Sequence, residues 1–214
     1  MSASSPRFRG SLHTWASVAV LPMAIALLRR AETSQQRVVI ICYATGIAAM
    51  FGGSALYHRI SWTAKTKRIM QRVDHSTIFC AIAGTYSPIG VLVLSGGLRV
   101  AVLATVWIGA LVGVLLQWTP QPPSRVLSAA IYVIVGWAAL MAVPQLVAGL
   151  GLGAFVLLVA GGLAFTAGSV VYTLKHPDPL PLIFGYHEVF HLFTLIGAGL
   201  HYLAIRGLLL RLRG

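Results

Sequence analysis

The sequence has very little charge and almost no acid. Only 9% of its 214 residues are charged, four of them Asp or Glu, whereas 57% are hydrophobic. A soluble domain carries roughly 25% charged residues, so this chain has too little polar surface for a soluble protein. Its apolar stretches are continuous and about 20 residues long, which predicts membrane-spanning helices and not the short alternating strands of a β-barrel.

Cysteines are also scarce, and the excess of basic charge does not indicate a nucleic-acid partner. Cys42 and Cys80 lie far apart in apolar segments, so we expect buried packing thiols and no disulfide framework. The net charge is +12, but the 16 basic residues lie mostly between or beside the apolar runs, as loops and headgroup contacts require. Without a folded basic domain, we expect no nucleic-acid binding.

Hydropathy predicts a single integral membrane domain over residues 1–214. The first ten residues, MSASSPRFRG, are too polar for a signal-peptide core, so we expect the first apolar run to remain as a helix. The predicted fold is all-α, a polytopic bundle of seven transmembrane helices. The predicted spans lie near residues 12–28, 37–58, 74–95, 98–118, 126–146, 150–173 and 184–205.

The distribution of basic residues favours a cytoplasmic N-terminus. With that orientation nine basic residues lie inside and seven outside, and the densest cluster, between the second and third spans, faces the cytoplasm. We therefore expect a multi-pass protein of the cell membrane with its C-terminus outside. The sequence does not indicate an oligomeric state.

Four ionisable side chains from distant segments are predicted to meet at one membrane face. His58 ends the second span, Asp74 begins the third, and His187 and His191 lie in the first two turns of the seventh. The end of an even-numbered helix and the start of an odd-numbered helix lie at the same membrane face, whichever way the protein is inserted. Because ionisable groups inside spans are costly, they mark a functional site by default. Ser54 lies one turn before His58 on the same helix face.

The string HEVFH matches H-E-x-x-H, but a zinc protease is not supported. His187 and His191 are spaced i, i+4 and can bind one metal ion from a single helix, or can form interhelical hydrogen bonds. No acid follows Glu188, and the extended protease motif fails at Thr194 and Gly197. His58 is the better third ligand, with Asp74 hydrogen-bonding a water on the metal or acting as a base.

The remaining ionisable residues are predicted to have structural roles. Glu188 points about 100° away from His187 around the helix, so we expect a salt bridge with Lys or Arg. His75 is expected to cap or hydrogen-bond the start of the third helix, and His201 to form an interhelical contact or to lie on the outer face. His13 and His176 are expected to be exposed at the membrane edges.

The motifs together resemble a known family. SALYH at 54–58, VDHSTIF at 73–79, AGTYSP at 83–88 and GYHEVFHLF at 185–193 are similar to those of the hemolysin III family, the bacterial branch of the progestin and adiponectin receptor (PAQR) superfamily. The resemblance implies Zn²⁺ ligands at His58, His187 and His191. It also implies a supporting hydroxyl at Ser54, and that Asp74 holds a water on the zinc.

Three functions are consistent with these residues. The leading hypothesis is a zinc-dependent hydrolase of lipid amide or ester bonds, similar to the ceramidases of the superfamily, with Asp74 and Ser54 as catalytic residues and a membrane lipid as substrate or ligand. The second is a cytolytic, membrane-perturbing hemolysin, although the spans have few polar residues to line a pore. The third is a receptor or lipid sensor in which zinc is structural.

Overall fold

A computed structural model describes residues 6–213, so the first five residues of the polar start and Gly214 lie outside it. Within that range the chain is helical and forms no β-strand, which confirms the all-α prediction. The helices are α1 (Ser11–Leu28), α2 (Ser34–Arg59), α3 (Ala64–Leu92), α4 (Gly96–Gln117), α5 (Arg125–Gly136), a 3-10 helix (Ala138–Ala142), α6 (Val143–Leu150), α7 (Leu152–Leu174) and α8 (Tyr186–Arg211).

These helices form a seven-span bundle. Six spans in the described range are long and apolar enough to cross a membrane, and the fifth of the seven, Arg125–Leu150, combines α5, the 3-10 helix and α6. The remaining span is α3, the third in chain order, which is 29 residues long and has a basic first half. Large apolar side chains, such as Trp15, Leu21 and Ile134, are exposed on the outside of the bundle. Such an apolar surface requires lipid around it, so the chain is a multi-pass membrane protein.

The third helix begins ten residues before its predicted membrane span at residue 74. Thr63 ends the preceding loop, and its hydroxyl accepts a hydrogen bond from the Thr66 amide, which caps α3 at Ala64. The Lys and Arg residues that follow are good helix formers but too polar for the bilayer core. Asp74 therefore lies in the third turn of α3, and His75 does not cap the helix start.

The helix of the fifth span is broken in the middle, and a tyrosine of α3 hydrogen-bonds to backbone groups on both sides of the break. The Tyr86 hydroxyl donates to the Gly136 carbonyl at 2.7 Å and accepts from the Ala139 amide at 2.8 Å. Trp137 donates from its indole nitrogen to the Thr166 hydroxyl of α7 at 2.9 Å. Backbone groups freed inside a membrane must be bonded within the protein, and these contacts allow the 3-10 segment to exist there.

Glycines allow α2 and α3 to pack with their backbones in contact. A Cβ atom added at Gly46 would lie 2.5 Å from the Cys80 carbonyl oxygen, and one at Gly84 would lie 2.9 Å from that of Cys42. This close packing brings the end of α2 and the third turn of α3 together. The prediction that both cysteines are buried is wrong for Cys80, which is exposed on the outside of the bundle, whereas Cys42 is half-buried and lies 3.3 Å from the Ser87 hydroxyl.

Candidate metal centre

Three histidines from two distant helices form a cluster at one end of the bundle. One ligand atom from each of His58, His187 and His191 lies within 4.8 Å of the other two. The Nε2 atoms of His58 and His187 are 3.1 Å apart, and the ring centroids of His187 and His191 are 4.5 Å apart. These three side chains, chosen from the sequence by helix parity, could together hold a metal ion.

The N-terminal segment packs directly against the histidine of α2. Gly10 has a φ of +76°, a conformation that favours glycine, and a Cβ atom there would lie 2.6 Å from the His58 Cβ. The same segment is hydrogen-bonded to the loop before α8, through the Arg7 and Phe8 amides and the carbonyls of Leu182 and Ile183. The segment therefore ties the start of α1 to the start of α8 beside the cluster.

Two acids fix the first turn of α8, which carries His187. The Asp178 carboxylate accepts from the Tyr186 amide at 2.8 Å, and the Glu188 carboxylate accepts from the Gly185 amide at 2.9 Å. Both bonds satisfy backbone donors that a helix start leaves free. The other oxygen of Glu188 lies 2.9 Å from Arg9 Nε, which is the predicted salt bridge, although the two atoms are poorly aligned for a hydrogen bond.

Asp74 is the acid that faces the histidines. Its Oδ2 atom lies 3.9 Å from His58 Nε2, and its side chain is 13% exposed. Glu188 pairs with Arg9 and Asp178 accepts a hydrogen bond from the Tyr186 amide, both at the start of α8. Glu32 pairs with Arg213 at 3.1 Å. Since the sequence has four acids, Asp74 is the one whose carboxylate is directed to the cluster.

A fourth histidine joins the cluster, which the sequence interpretation missed. His13 was expected at an exposed membrane edge, but it is 3% exposed and its ring stacks on that of His191, with centroids 3.7 Å apart and planes at 10°. The expectation is wrong because α1 begins directly after Gly10 and turns its first buried face toward α8. Helix parity could have predicted this position, since the start of the first span lies at the same membrane face as the start of the seventh.

The donor set fits a divalent metal ion. Two nitrogens bonded to one tetrahedral ion at about 2.0–2.1 Å lie roughly 3.4 Å apart, and the Nε2 atoms of His58 and His187 are 3.1 Å apart. His191 is 2% exposed, and its Nδ1 atom has no hydrogen-bond partner in the described residues. Buried polar atoms normally have partners, so the cluster is suited to an additional group that would satisfy them.

The cluster opens into the first of two adjoining cavities within the bundle. The first has a volume of about 40 Å³ and is lined by Ser54, Asp74, His187 and His191, among others. A water molecule needs about 10–15 Å³, so a few small groups can fit there. A second cavity of about 100 Å³, mainly apolar like the first, adjoins it and shares the lining residue Met50. It runs from Phe190 and Thr194, which lie beside the cluster, to Gly136 and Trp137 at the break in the fifth span.

Three further histidines lie away from the ligand cluster. His75 lines the first cavity without belonging to the cluster. His201 contacts the Leu158 carbonyl of α7 at 3.0 Å, which is the interhelical contact that was expected. His176 is exposed in the loop after α7, also as expected.

Comparison with known proteins identifies relatives over most of the chain. A family model described as "Haemolysin-III related" matches residues 1–202. The chain is 33% identical over 156 residues to the "Hemolysin-3 homolog" of Bacillus subtilis (strain 168), covering 73% of this chain and 70% of the relative. It is 28% identical over 196 residues to the "Hemolysin-3" of Bacillus cereus, covering 90% and 86% respectively. It is 25% identical over 197 residues to the human "Monocyte to macrophage differentiation factor", covering 90% and 79%.

Proposed function

The chain belongs to the haemolysin III family, the bacterial branch of the progestin and adiponectin receptor superfamily, and from this premise we propose that it is a zinc-dependent hydrolase of lipid amide or ester bonds. The observation that carries the proposal is the set of three histidine ligand atoms within 4.8 Å of one another, with one carboxylate facing them. A catalytic zinc site has this composition, three protein ligands beside an open position.

The metal would be held by His58, His187 and His191. When bound, zinc lowers the pKa of a coordinated water to about 7 and polarises a carbonyl oxygen. The histidines contribute by staying neutral and fixed in orientation, since a protonated imidazole cannot bind a cation.

Asp74 is assigned the proton transfer. Its carboxylate is 3.9 Å from His58 Nε2 and lines the cavity in which an attacking water would lie. There it can accept a proton from that water and donate it to the leaving nitrogen or oxygen. Ser54, 3% exposed and lining the same cavity, is placed to donate a hydrogen bond to a substrate oxygen.

A lipid is the substrate class that matches the surroundings of the site. The mainly apolar cavity of about 100 Å³ beside the cluster is suited to part of an acyl chain, whereas the amide or ester would lie in the smaller cavity that Asp74, His187 and His191 line. The site lies at the membrane face where α1 begins. We assign this face to the cytoplasm and the protein to the cell membrane, because nine basic residues against seven then lie inside.

The test is fatty-acid release from defined lipid pools by the purified, zinc-loaded protein. Wild type is expected to release fatty acid from N-acyl lipids or phospholipids, to stop after chelation and to resume when zinc is restored. Asp74→Asn should keep the metal and lose about 10²–10⁴-fold in rate. Glu32→Gln, an exposed acid paired with Arg213, is the control and should match wild type.

Two results would contradict the proposal. The first is full activity in Asp74→Asn, which would remove the base from the mechanism. The second is a wild type with one zinc per chain and no release from any pool, which would make the metal structural and the protein a lipid sensor.

Membrane perturbation is the second candidate, because two relatives carry the name hemolysin. Dye leakage from liposomes separates the two functions. Leakage that persists when all three ligand histidines are replaced by alanine would favour perturbation over hydrolysis.

A further inference from the structure

His13 is attached to the cluster by two different contacts. Its ring lies flat on His191, with centroids 3.7 Å apart and planes at 10°. Its Nε2 atom lies 3.0 Å from the Thr194 hydroxyl, which is one turn after His191 in α8. His13 therefore contacts the side chain of one ligand residue and the helix turn that carries it.

The stacked geometry excludes His13 as a fourth ligand to the same ion. The lone pair of an imidazole nitrogen lies in the plane of the ring, so an ion bound by His191 lies near the His191 plane. The His13 ring is stacked above that plane, with its centroid 3.7 Å from that of His191. Its own lone pairs point parallel to that plane and cannot reach the ion at the required distance of about 2.0–2.1 Å.

The Thr194 hydroxyl fixes the orientation of the His13 ring. It lies 2.7 Å from the His191 carbonyl oxygen, to which it can donate its single hydrogen. The hydroxyl oxygen then accepts the 3.0 Å bond from His13, which places the proton on Nε2. The ring is thereby held from α8 itself, and Phe51 of α2 contacts it edge-on at 5.0 Å.

We propose that His13 is a positioning residue that fixes the ring plane of His191 for metal binding. A ligand imidazole needs an outer contact that sets its orientation, usually a hydrogen bond from its second nitrogen. No hydrogen bond from the His191 ring to such an outer group is formed among the described residues, where its Nδ1 atom has no partner. Stacking by His13 provides the restraint in its place. The proposal rests on the metal centre proposed above.

The test measures the zinc affinity of purified protein by competition with a chromophoric chelator. His13→Ala is expected to bind zinc 10- to 100-fold more weakly, the loss typical when an outer contact of a metal ligand is removed. His13→Phe keeps a flat ring over His191 and should recover most of the affinity. His176→Ala, an exposed histidine outside the cluster, is the matched control and should bind as wild type does.

Two further measurements separate positioning from a general loss of structure. Thermal unfolding of the metal-free proteins should show His13→Phe as stable as wild type. The absorption bands of Co²⁺ bound in place of zinc should shift in His13→Ala and return in His13→Phe, since they report the geometry around the ion.

Each alternative outcome is distinct. Wild-type affinity and an unchanged Co²⁺ spectrum in His13→Ala would overturn the positioning role and leave the metal centre intact. Metal-edge spectroscopy that counts one imidazole fewer in His13→Phe would overturn it by making His13 a ligand. A wild type that binds no zinc would overturn the metal centre and this role together.

Discussion

Replacing Glu188 by Gln is expected to destabilise the fold without affecting the chemistry, although Glu188 is the acid of the H-E-x-x-H string. Glu188 is 1% exposed, and its carboxylate both pairs with Arg9 at 2.9 Å and accepts from the Gly185 amide. A Gln side chain can still accept that backbone bond, so Glu188→Gln removes the charge alone. Arg9 would then remain as a cation with only 23% of its side chain exposed.

The expected cost follows from the burial of the pair. Removing one partner of a buried ion pair costs about 3–5 kcal/mol, because the other charge is left uncompensated. Arg9 keeps some contact with the surroundings and its contact with Glu188 is poorly aligned, which places Glu188→Gln near the lower end, at about 3 kcal/mol. Glu188→Ala also leaves the Gly185 amide unpaired and should cost about 1 kcal/mol more.

Unfolding in mixed micelles of denaturing and non-denaturing detergent measures these free energies. The double variant Arg9→Met/Glu188→Gln removes both charges and should recover most of the loss, with zinc content unchanged in all three proteins. If Glu188→Gln kept wild-type stability but lost hydrolysis of the lipid pool, the structural assignment would be refuted and Glu188 would become the base.

Two further predictions concern helix packing. Gly46→Leu places a side chain against the Cys80 carbonyl, which a Cβ atom would already approach to 2.5 Å, and should lower the unfolding free energy by about 1–3 kcal/mol. Gly52→Ala, where a Cβ atom meets nothing within 4 Å, is the control in the same micelle assay, and equal stability of the two variants would contradict the close packing of α2 and α3. Tyr86→Phe leaves the Gly136 carbonyl and the Ala139 amide unpaired and should cost about 1–3 kcal/mol for each group that finds no new partner. The same assay measures it, and a neutral effect would show that the break in the fifth span does not need the hydroxyl.

Most of the cluster was predictable because the membrane makes ionisable residues rare. His58, His187 and His191 stand out in apolar spans, and helix parity alone assigns them to one face. His13 was missed because it has no partner at helical spacing and follows the polar N-terminus, where an exposed histidine is ordinary. The distances among the rings depend on how the helices pack, and no spacing within one segment contains that information.

Two features of the fold could not be predicted from hydropathy, each for a physical reason. The helix α3 extends beyond the bilayer, where basic residues are compatible with a helix but not with a membrane span. The fifth span stays apolar through its break, so its hydropathy is that of a continuous helix. Gly136 and Pro144 flank the break and were its local signals.

The most direct test of the metal centre is the zinc content of the detergent-purified protein, measured by mass spectrometry. We expect about one zinc per chain in wild type and in the control His176→Ala, and none in His58→Ala or His187→Ala, because each removes one of the three ligands held within 4.8 Å. A folded wild type without metal, or a His58→Ala protein with full zinc content, would contradict the assignment of these histidines to one metal site.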